Sequence, residues 1–212
     1  MSQSNSRRTF LKQGMALGCT TALPGVLFSQ THSDGNAEAV FENIKTRRSV
    51  RKFKPTPVPE EDILKLLDAA RMAPTSGNQQ PWKFIVIRDK KTIATLRDGM
   101  IASSMEYYRN NPDIADSEEN FRERVKSVAG NYMSAPVYIV VLTDNNSKYA
   151  GYNEKDGPLA AGYLLLAARA LGYGTVFITD SIPESVTKEV LKIPDHYTRV
   201  CITPVGVPEE WP

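Results

Sequence analysis

The chain has 212 residues, of which 41% are hydrophobic and 24% charged, so it is long enough for one well-buried domain and has a globular composition. Three of its 26 basic residues and none of its 24 acidic residues lie in residues 1–30, so the rest of the chain is about neutral. This balance argues against a nucleic-acid or membrane-surface partner.

The first 36 residues have the features of an export signal. Arg7 and Arg8 are followed by Phe-Leu-Lys and by a modestly apolar run over residues 14–28, which closely resembles a twin-arginine (Tat) signal. We therefore predict a Tat-type signal peptide and linker over residues 1–36, recognition by the Tat machinery, and a periplasmic or other extracytoplasmic location. A disordered tail that contains an arginine pair is the alternative. Tat export carries folded proteins, commonly with a cofactor inserted in the cytoplasm, so the resemblance points to a cofactor protein.

Cysteine usage gives the mature domain no covalent cross-link. The chain has two cysteines, Cys19 in the predicted leader and Cys201 near the C-terminus. Once the leader is removed, no internal disulfide is possible. The exported fold is therefore expected to depend on its hydrophobic core and on a bound cofactor.

Residues 37–212 alternate helical and strand patterns. Apolar residues at i, i+3, i+4 and i+7 predict a first helix through residues 37–44, and the same pattern predicts a second helix that begins at Pro59 and that Pro74 ends. Further helices are predicted over residues 90–110, 117–132 and 158–171, and a short helix that begins after Ser181 is predicted to end at Leu191. Strands are predicted over residues 84–87, 137–142, 175–178 and 200–203. Because no interdomain linker or internal repeat interrupts this order, we predict one α+β domain with several helices over a small sheet.

The later helices have specific sequence signals. Residues 158–171 are apolar on nearly every helical face, so we expect this helix to lie in the core or at a subunit interface. Gly172 suits the end of that helix. Ser181 and Glu184 have the spacing of a capping box, which predicts that Ser181 caps the short helix that follows.

Residues 47–53, RRSVRKF, which we call the arginine segment, follow the first predicted helix. Charge at this density usually forms a solvated face. At a helix-to-loop junction, Arg47 and Arg48 could instead pair with a phosphate, while Ser49 and Arg51 hydrogen-bond to a polar chain or ring edge. The residues alone leave both interpretations open.

A polar loop rich in turn-forming residues, 74–82, precedes the first predicted strand. Neutral donors and acceptors are supplied by Thr75, Ser76, Asn78 and Gln80. Such groups suit the donor and acceptor edge of a heteroaromatic ring better than a point charge. An ordinary capped turn is the alternative, and composition alone favours it.

The usual catalytic constellations are mostly missing from the sequence. The two histidines are His32, in the predicted leader, and His196, so a histidine-based triad would depend on His196 alone. One mature cysteine and no clustered histidines predict that there is no transition-metal site. A nucleophile elbow, a Gly-Lys-Ser phosphate loop and a glycine-rich dinucleotide fingerprint are also missing. Chemistry would therefore have to come from a bound organic cofactor.

Four motifs, in this order, closely resemble the FMN-dependent nitroreductase family: RRSVRKF, APTSGNQQPWKFIVI, LLLAARALGYGTVFI and ITPVGVPEEWP. The resemblance runs over residues 41–208. It implies a nitroreductase-like α+β fold with a central, mostly antiparallel sheet flanked by helices, an intertwined homodimer, and an FMN site at the dimer interface. It also implies two-electron transfer from NAD(P)H to nitroaromatics, quinones or related small acceptors. Flavin N5 would be the redox centre, without a catalytic side chain.

The resemblance also assigns FMN-binding residues by position. They are Arg47, Arg48, Ser49, Arg51, Pro74, Thr75, Ser76, Asn78, Gln80, Thr179 and Asp180. Arg47 and Ser49 would hold the phosphate with Arg48 beside them, and Arg51 would reach the pyrimidine edge of the flavin. Residues of the 74–80 loop would come from the partner subunit. The Thr179-Asp180 backbone would pass flavin N5 and O4, where family members often have glycine.

Three functions compete at this point. The first is an exported FMN-dependent oxidoreductase; because NAD(P)H is not expected outside the cytoplasm, its donor is NAD(P)H or else a quinone or redox protein. The second is a flavin- or small-ligand-binding protein without nitroreductase turnover. The third is an exported α+β domain whose arginines form a solvated face.

Overall fold

The computed structural model describes residues 34–212, and residues 35–212 form one compact unit. The predicted Tat motif lies outside the described residues. Six helices form in the described part of the chain: α1 (Asp34–Thr46), α2 (Glu60–Arg71), α3 (Lys90–Asn110), α4 (Glu118–Tyr132), α5 (Asn153–Ala170) and α6 (Glu184–Leu191). The strands are β1 (Trp82–Ile87), β2 (Val137–Asp144) and β3 (Tyr197–Val205). None of the described helices is both long and apolar enough to cross a membrane.

The sheet is antiparallel, with β2 between β1 and β3. Phe84 of β1 lies opposite Val141 of β2, and Val140 of β2 lies opposite Ile202 of β3. Residues 137–143 of β2 are buried, whereas most of β1 is only half-buried. The predicted α+β class and antiparallel sheet are therefore confirmed.

Alternate residues of β2 point to opposite faces of the sheet, as strand geometry requires. Tyr138, Val140 and Leu142 pack with residues of α3, α4 and α6. Val137 and Ile139 pack with residues of α2 and α5 on the other face. The domain therefore has three layers: α3, α4 and α6, then the sheet, then α2 and α5.

The strand predicted over residues 175–178 is not formed as a regular strand. Gly174 and Ile178 make isolated antiparallel bridges to Gly206 and Ile202. The carbonyl of Thr175 between them instead accepts a hydrogen bond from the backbone N–H of Val50, at 3.0 Å. Because the hydrogen bonds of this segment are divided between β3 and the arginine segment, no continuous ladder develops.

The two predicted helix ends have different outcomes. Gly172 follows α5 with φ +84, and the Gly172 and Tyr173 N–H groups donate to the carbonyls of Arg169 and Ala168, which closes the helix as predicted. The Ser181 capping box is wrong. The N-cap of α6 is Pro183, and Oε1 of Glu184 accepts a hydrogen bond from the N–H of Arg199 at 3.0 Å. Because the Glu184 carboxylate accepts this hydrogen bond from β3, Glu184 does not form a capping box with Ser181.

Two helices expose apolar faces in the single chain. In α1, Val40 and Phe41 are 58% and 67% exposed. In α5, Leu164 is buried, but Leu159 and Tyr163 on another face are exposed. The core therefore accounts for only one face of α5, and the sequence expectation of a subunit interface remains open for the other.

Candidate functional site

The arginine segment connects α1 to the edge of the sheet. The segment runs beside Thr175, with Ser49 bridged to that residue and Val50 buried behind it. At its far end, Phe53 is buried and forms a bridge to Pro208. Burial of the two apolar side chains fixes the backbone, so the charged side chains are presented from a rigid support.

The arginines of this segment make different contacts. Arg48 donates from Nη1 to the carbonyls of Lys45 and Arg47, at 2.7 and 2.9 Å, and so caps the C-terminus of α1. Arg51 donates from Nε to the hydroxyl of Tyr132 at 2.8 Å. The guanidinium of Arg47 makes no hydrogen bond or ion pair with any side chain or backbone group of residues 35–212.

The 75–80 loop, Thr75–Gln80, turns tightly before β1. Gly77, Asn78 and Gln80 have φ values of +57, +52 and +49. Left-handed backbone is costly for residues other than glycine, so surrounding contacts must hold Asn78 and Gln80 in place. One such contact is a hydrogen bond from the Gln80 N–H to Oγ1 of Thr75, at 3.2 Å.

The inner side of the 75–80 loop is bonded to the first turn of α5. The backbone N–H of Ser76 donates to Oδ1 of Asp156 at 3.1 Å, and Nε2 of Gln79 donates to Oδ2 at 2.7 Å. Asn153, which is also buried, donates to the carbonyl of Asp144 at the end of β2. Sequence reasoning missed Asp156 because it predicted this helix from residue 158, whereas α5 begins at Asn153, and because the loop partners of Asp156 lie 80 and 77 residues away in the chain.

The outer side of the same loop faces away from these bonds. Pro74, Asn78 and Gln80 are exposed. The side-chain amides of Asn78 and Gln80 make no hydrogen bond to any residue that the structure describes. These two amides are therefore free to contact a ligand, whereas the Ser76 hydroxyl lies 3.4 Å from Oδ1 of Asp156.

The segment from Phe177 to Asp180 is supported by Arg199 of β3. Arg199 donates to the carbonyl of Thr179 and, at 2.6 Å, to Oγ1 of Thr187. Burial lowers the pKa of the Arg199 guanidinium, while Glu184, Cys201 and Asp180 raise it. Asp180 itself is exposed. Arg199 is a second residue that sequence reasoning missed, because its partners lie 12 and 20 residues away in the chain.

A cleft of about 500 Å³ lies next to this segment. Phe177 and Thr179 line one part of it, and Asn153 and Pro158 of α5 line another. The cleft therefore extends from the 177–180 segment to the helix that anchors the 75–80 loop.

The side chains of the described region include no activated thiol or catalytic triad. Cys201 is fully buried, and burial raises the pKa of its thiol to about 12. The His196 ring packs against Tyr197, with ring centroids 4.3 Å apart. In residues 35–212, no group of three or more His, Cys, Asp or Glu side chains is placed to hold a metal ion.

Residues 44–207 match the family model described as "Nitroreductase family". This chain belongs to the nitroreductase family. The match covers the arginine segment, the 75–80 loop and the 177–180 segment. The predicted nitroreductase-like fold is thereby confirmed.

Two sequence relatives and one solved structure illustrate the membership. A protein of Methanothermobacter thermautotrophicus, provisionally named NADH dehydrogenase/NAD(P)H nitroreductase, is 32% identical over 85% of this chain and 84% of its own length. The iodotyrosine deiodinase of Thermotoga neapolitana is 30% identical over 81% of this chain and 89% of its own. A crystal structure of oxidized iodotyrosine deiodinase bound to FMN and 3-iodo-L-tyrosine has a TM-score of 0.68 and 27% identity, covering 82% of this chain and 91% of that one.

The described chain brings the predicted site residues together in two separate groups. The arginine segment lies beside residues 174–178, and Arg199 holds the 177–180 segment that follows them. The 75–80 loop is bonded to α5 instead. In the described residues, no hydrogen bond or ion pair joins the arginine segment to the loop.

Proposed function

We propose that this protein works as a homodimer in which each flavin lies between the arginine segment of one subunit and the 75–80 loop of the other. In this proposal the enzyme is exported and transfers two electrons to a nitroaromatic, a quinone or a related small acceptor. The donor is NAD(P)H or, outside the cytoplasm, a quinone or redox protein.

The enzyme class and the cofactor follow from membership of the nitroreductase family. The chain is an FMN-dependent oxidoreductase of the nitroreductase type, and FMN is its cofactor. When bound, FMN supplies two-electron chemistry, which agrees with the lack of an activated protein nucleophile in the described residues.

The described residues fit FMN. The unpaired guanidinium of Arg47 can hold the phosphate, since bidentate charge-assisted contacts suit phosphate oxygens. Arg51, fixed by Tyr132, can place positive charge near the pyrimidine edge of the ring, where it would stabilise the negative charge of the reduced flavin. The free amides of Asn78 and Gln80 can bond polar edges of the cofactor.

The observation that carries the dimer proposal is the exposed apolar surface of α1 and α5. Val40, Phe41 and Ile44 form one helical stripe on α1, and each is more than half exposed. Asn43 on the same helix donates to the carbonyl of Leu166 in α5, at 2.9 Å. An exposed apolar stripe on a helix held in place by its neighbour suits a second subunit. Proteins of this family are typically dimeric and use NAD(P)H.

Turnover can be tested on the full-length chain. We expect a yellow protein with a flavin spectrum whose FMN is bleached anaerobically by NADH, NADPH or a reduced quinone. The reduced protein is then mixed in separate experiments with a nitroaromatic, a quinone and a halotyrosine, and we expect at least one of these acceptors to be reduced and to reoxidise the flavin. A flavin that stays oxidised with every donor, although dithionite reduces it, would favour the binding protein without turnover. A colourless protein that does not bind added FMN would contradict the proposal.

Export can be tested separately. Replacing Arg7 and Arg8 by lysine should keep the protein in the cytoplasm, because Tat recognition reads the arginine pair. The natural chain should appear in the extracytoplasmic fraction of the same cells. Equal distributions of the two chains would contradict Tat export without affecting the flavin chemistry.

A further inference from the structure

The 75–80 loop is held from within the fold by a buried carboxylate whose hydrogen-bond partners are neutral. Asp156 is 3% exposed. Its Oδ1 accepts from the N–H and, at 3.4 Å, the hydroxyl of Ser76, and its Oδ2 accepts from Nε2 of Gln79 at 2.7 Å. Burying a carboxylate costs free energy unless donors compensate, and here the loop and the N-terminal turn of α5 provide the compensation.

Gln79 has no freedom to adapt to another partner. Its Oε1 accepts from the N–H of Tyr149 at 2.7 Å, while its Nε2 also lies 3.2 Å from the Tyr149 carbonyl. These two backbone contacts fix which end of the amide faces Asp156. A neutral side chain at position 156 avoids the cost of burial, but an amide there has one acceptor oxygen, whereas the donors of Ser76 and Gln79 contact both oxygens of Asp156.

The side chains of the loop face in two directions. Ser76 and Gln79 turn inward to Asp156, whereas Asn78 and Gln80 are exposed and adopt left-handed backbone conformations. The inward bonds therefore hold the strained backbone that presents the two outward amides.

We propose that Asp156 is a positioning residue of the flavin site: by fixing Ser76 and Gln79 on α5, it sets where Asn78 and Gln80 stand against the cofactor. The inference rests on the proposed function, because FMN must contact this loop. Flavin binding should therefore also depend on α5. A substitution in the first turn of that helix alters flavin binding, although Asp156 itself is buried beneath the loop.

A charge swap tests this contact. Asp156→Asn leaves one loop donor without an acceptor, and Gln79→Glu puts two carboxylates together, so each should weaken FMN binding about tenfold. In the double variant, the carboxylate introduced at position 79 can accept from the Tyr149 N–H and from the amide introduced at position 156, but its second oxygen then also faces the Tyr149 carbonyl that Nε2 of Gln79 contacts in the natural chain. The oxygen of that amide can in turn accept from Ser76. Because Q79E and the double variant share that contact with the Tyr149 carbonyl, we expect the double variant to bind FMN more tightly than Q79E and to recover part of the lost affinity.

The measurements separate positioning from loss of fold. FMN affinity is measured by flavin fluorescence, and the visible circular dichroism of the FMN-saturated protein reports the surroundings of the ring. Both should change in D156N and in Q79E, and both should be closer to the natural values in the double variant than in Q79E. A purely structural role would instead lower the melting temperature of the flavin-free chain and leave the dichroism of the saturated protein unchanged. Glu154→Gln is the matched control, since Glu154 is an exposed acid in the same turn that pairs with Lys155.

Each outcome has one meaning. Single variants that bind FMN as the natural chain does would overturn the inference and leave the proposed function standing. A double variant that binds FMN no more tightly than Q79E would also overturn it. A natural chain that binds no FMN would remove the proposed function itself. Should D156N fail to fold, Q79E and the double variant give the same comparison.

Discussion

At the scale of single residues, the four cations of the arginine segment divide by role. Arg48 hydrogen-bonds the Lys45 carbonyl at the C-terminal end of α1, and Arg51 donates a hydrogen bond to the Tyr132 hydroxyl. Lys52 is exposed, and its backbone carbonyl accepts from the N–H of Glu209. Arg47 is half-buried at the helix end and its guanidinium has no protein partner in the described region. Arg47 and Lys52 are therefore the two cations of this segment that can bind an anion without first breaking a side-chain contact in the described region, and Arg47 is the one that the family resemblance assigns to the phosphate.

Replacing Arg47 by alanine should weaken FMN binding by about 10- to 100-fold, which corresponds to the loss of a charge-assisted hydrogen bond to phosphate. We also expect lower thermal stability in the presence of FMN, because less cofactor stays bound. The measurement is flavin retention during gel filtration together with a melting curve. Lys45→Ala is the control, since Lys45 is an exposed cation two residues earlier that pairs with Glu42 at 3.6 Å. Equal retention by both variants would contradict the phosphate assignment.

At the scale of elements, the 75–80 loop depends on a glycine. Gly77 has φ +57, and a Cβ built there lies 2.3 Å from Cε2 of Tyr149. Any other residue would combine left-handed strain with a clash against that ring. The loop and residues 149–156 therefore form one packed unit.

Gly77→Ala should lower the free energy of unfolding by roughly 2 kcal/mol, from backbone strain and displacement of Tyr149, and should weaken FMN binding as well. Gly130→Ala is the matched control. Gly130 lies in α4 with open space around it, so alanine should raise the free energy of unfolding by about 0.5–1 kcal/mol. Urea unfolding of the flavin-free proteins measures both. An unchanged free energy of unfolding in Gly77→Ala would show that the loop and Tyr149 accommodate the added methyl group at no cost.

The exposed stripe of α1 gives a second prediction for an element. Phe41→Asp should weaken the dimer about 100-fold or more, because it removes a buried aromatic group from the proposed interface and introduces a charge. Light scattering over a dilution series measures the dissociation constant. Tyr107→Asp is the control, since Tyr107 is similarly exposed, at 61%, on α3, which covers the opposite face of the sheet. Dimers of equal strength in both variants would place the interface elsewhere.

For the whole molecule, local pattern was enough to predict most elements. The 21-residue α3 and the buried β2 have strong periodic or apolar signals, and both form where predicted. The wrong predictions occur where a residue distant in the chain hydrogen-bonds a group for which the local pattern had predicted a nearby partner. Thr175 bonds Val50 instead of continuing a strand, and Glu184 bonds Arg199 instead of capping α6. No local pattern reveals such partners, because they lie many residues away.

The same limit applies to the candidate site. The arginine segment and the 75–80 loop could be singled out from residue types, but their supports could not. Asp156 contacts the loop across 80 and 77 residues, and Tyr132 contacts Arg51 across 81. The sequence also leaves open which amides of the loop face outward. That division follows from the bonds to α5, and the assignment of all eleven residues to FMN remains a prediction.

A site completed by two subunits requires that FMN binding and dimerisation strengthen each other. FMN at 100 times its dissociation constant should stabilise the protein by about 2.7 kcal/mol, which for a chain of this size raises the melting temperature by roughly 5–10 °C. FMN should also shift the monomer–dimer equilibrium towards the dimer, because in the proposed arrangement only the dimer offers both halves of the site. Dilution series with and without FMN measure this linkage. A monomeric Phe41→Asp chain that binds FMN as tightly as the natural dimer would contradict the shared site, since one subunit would then suffice.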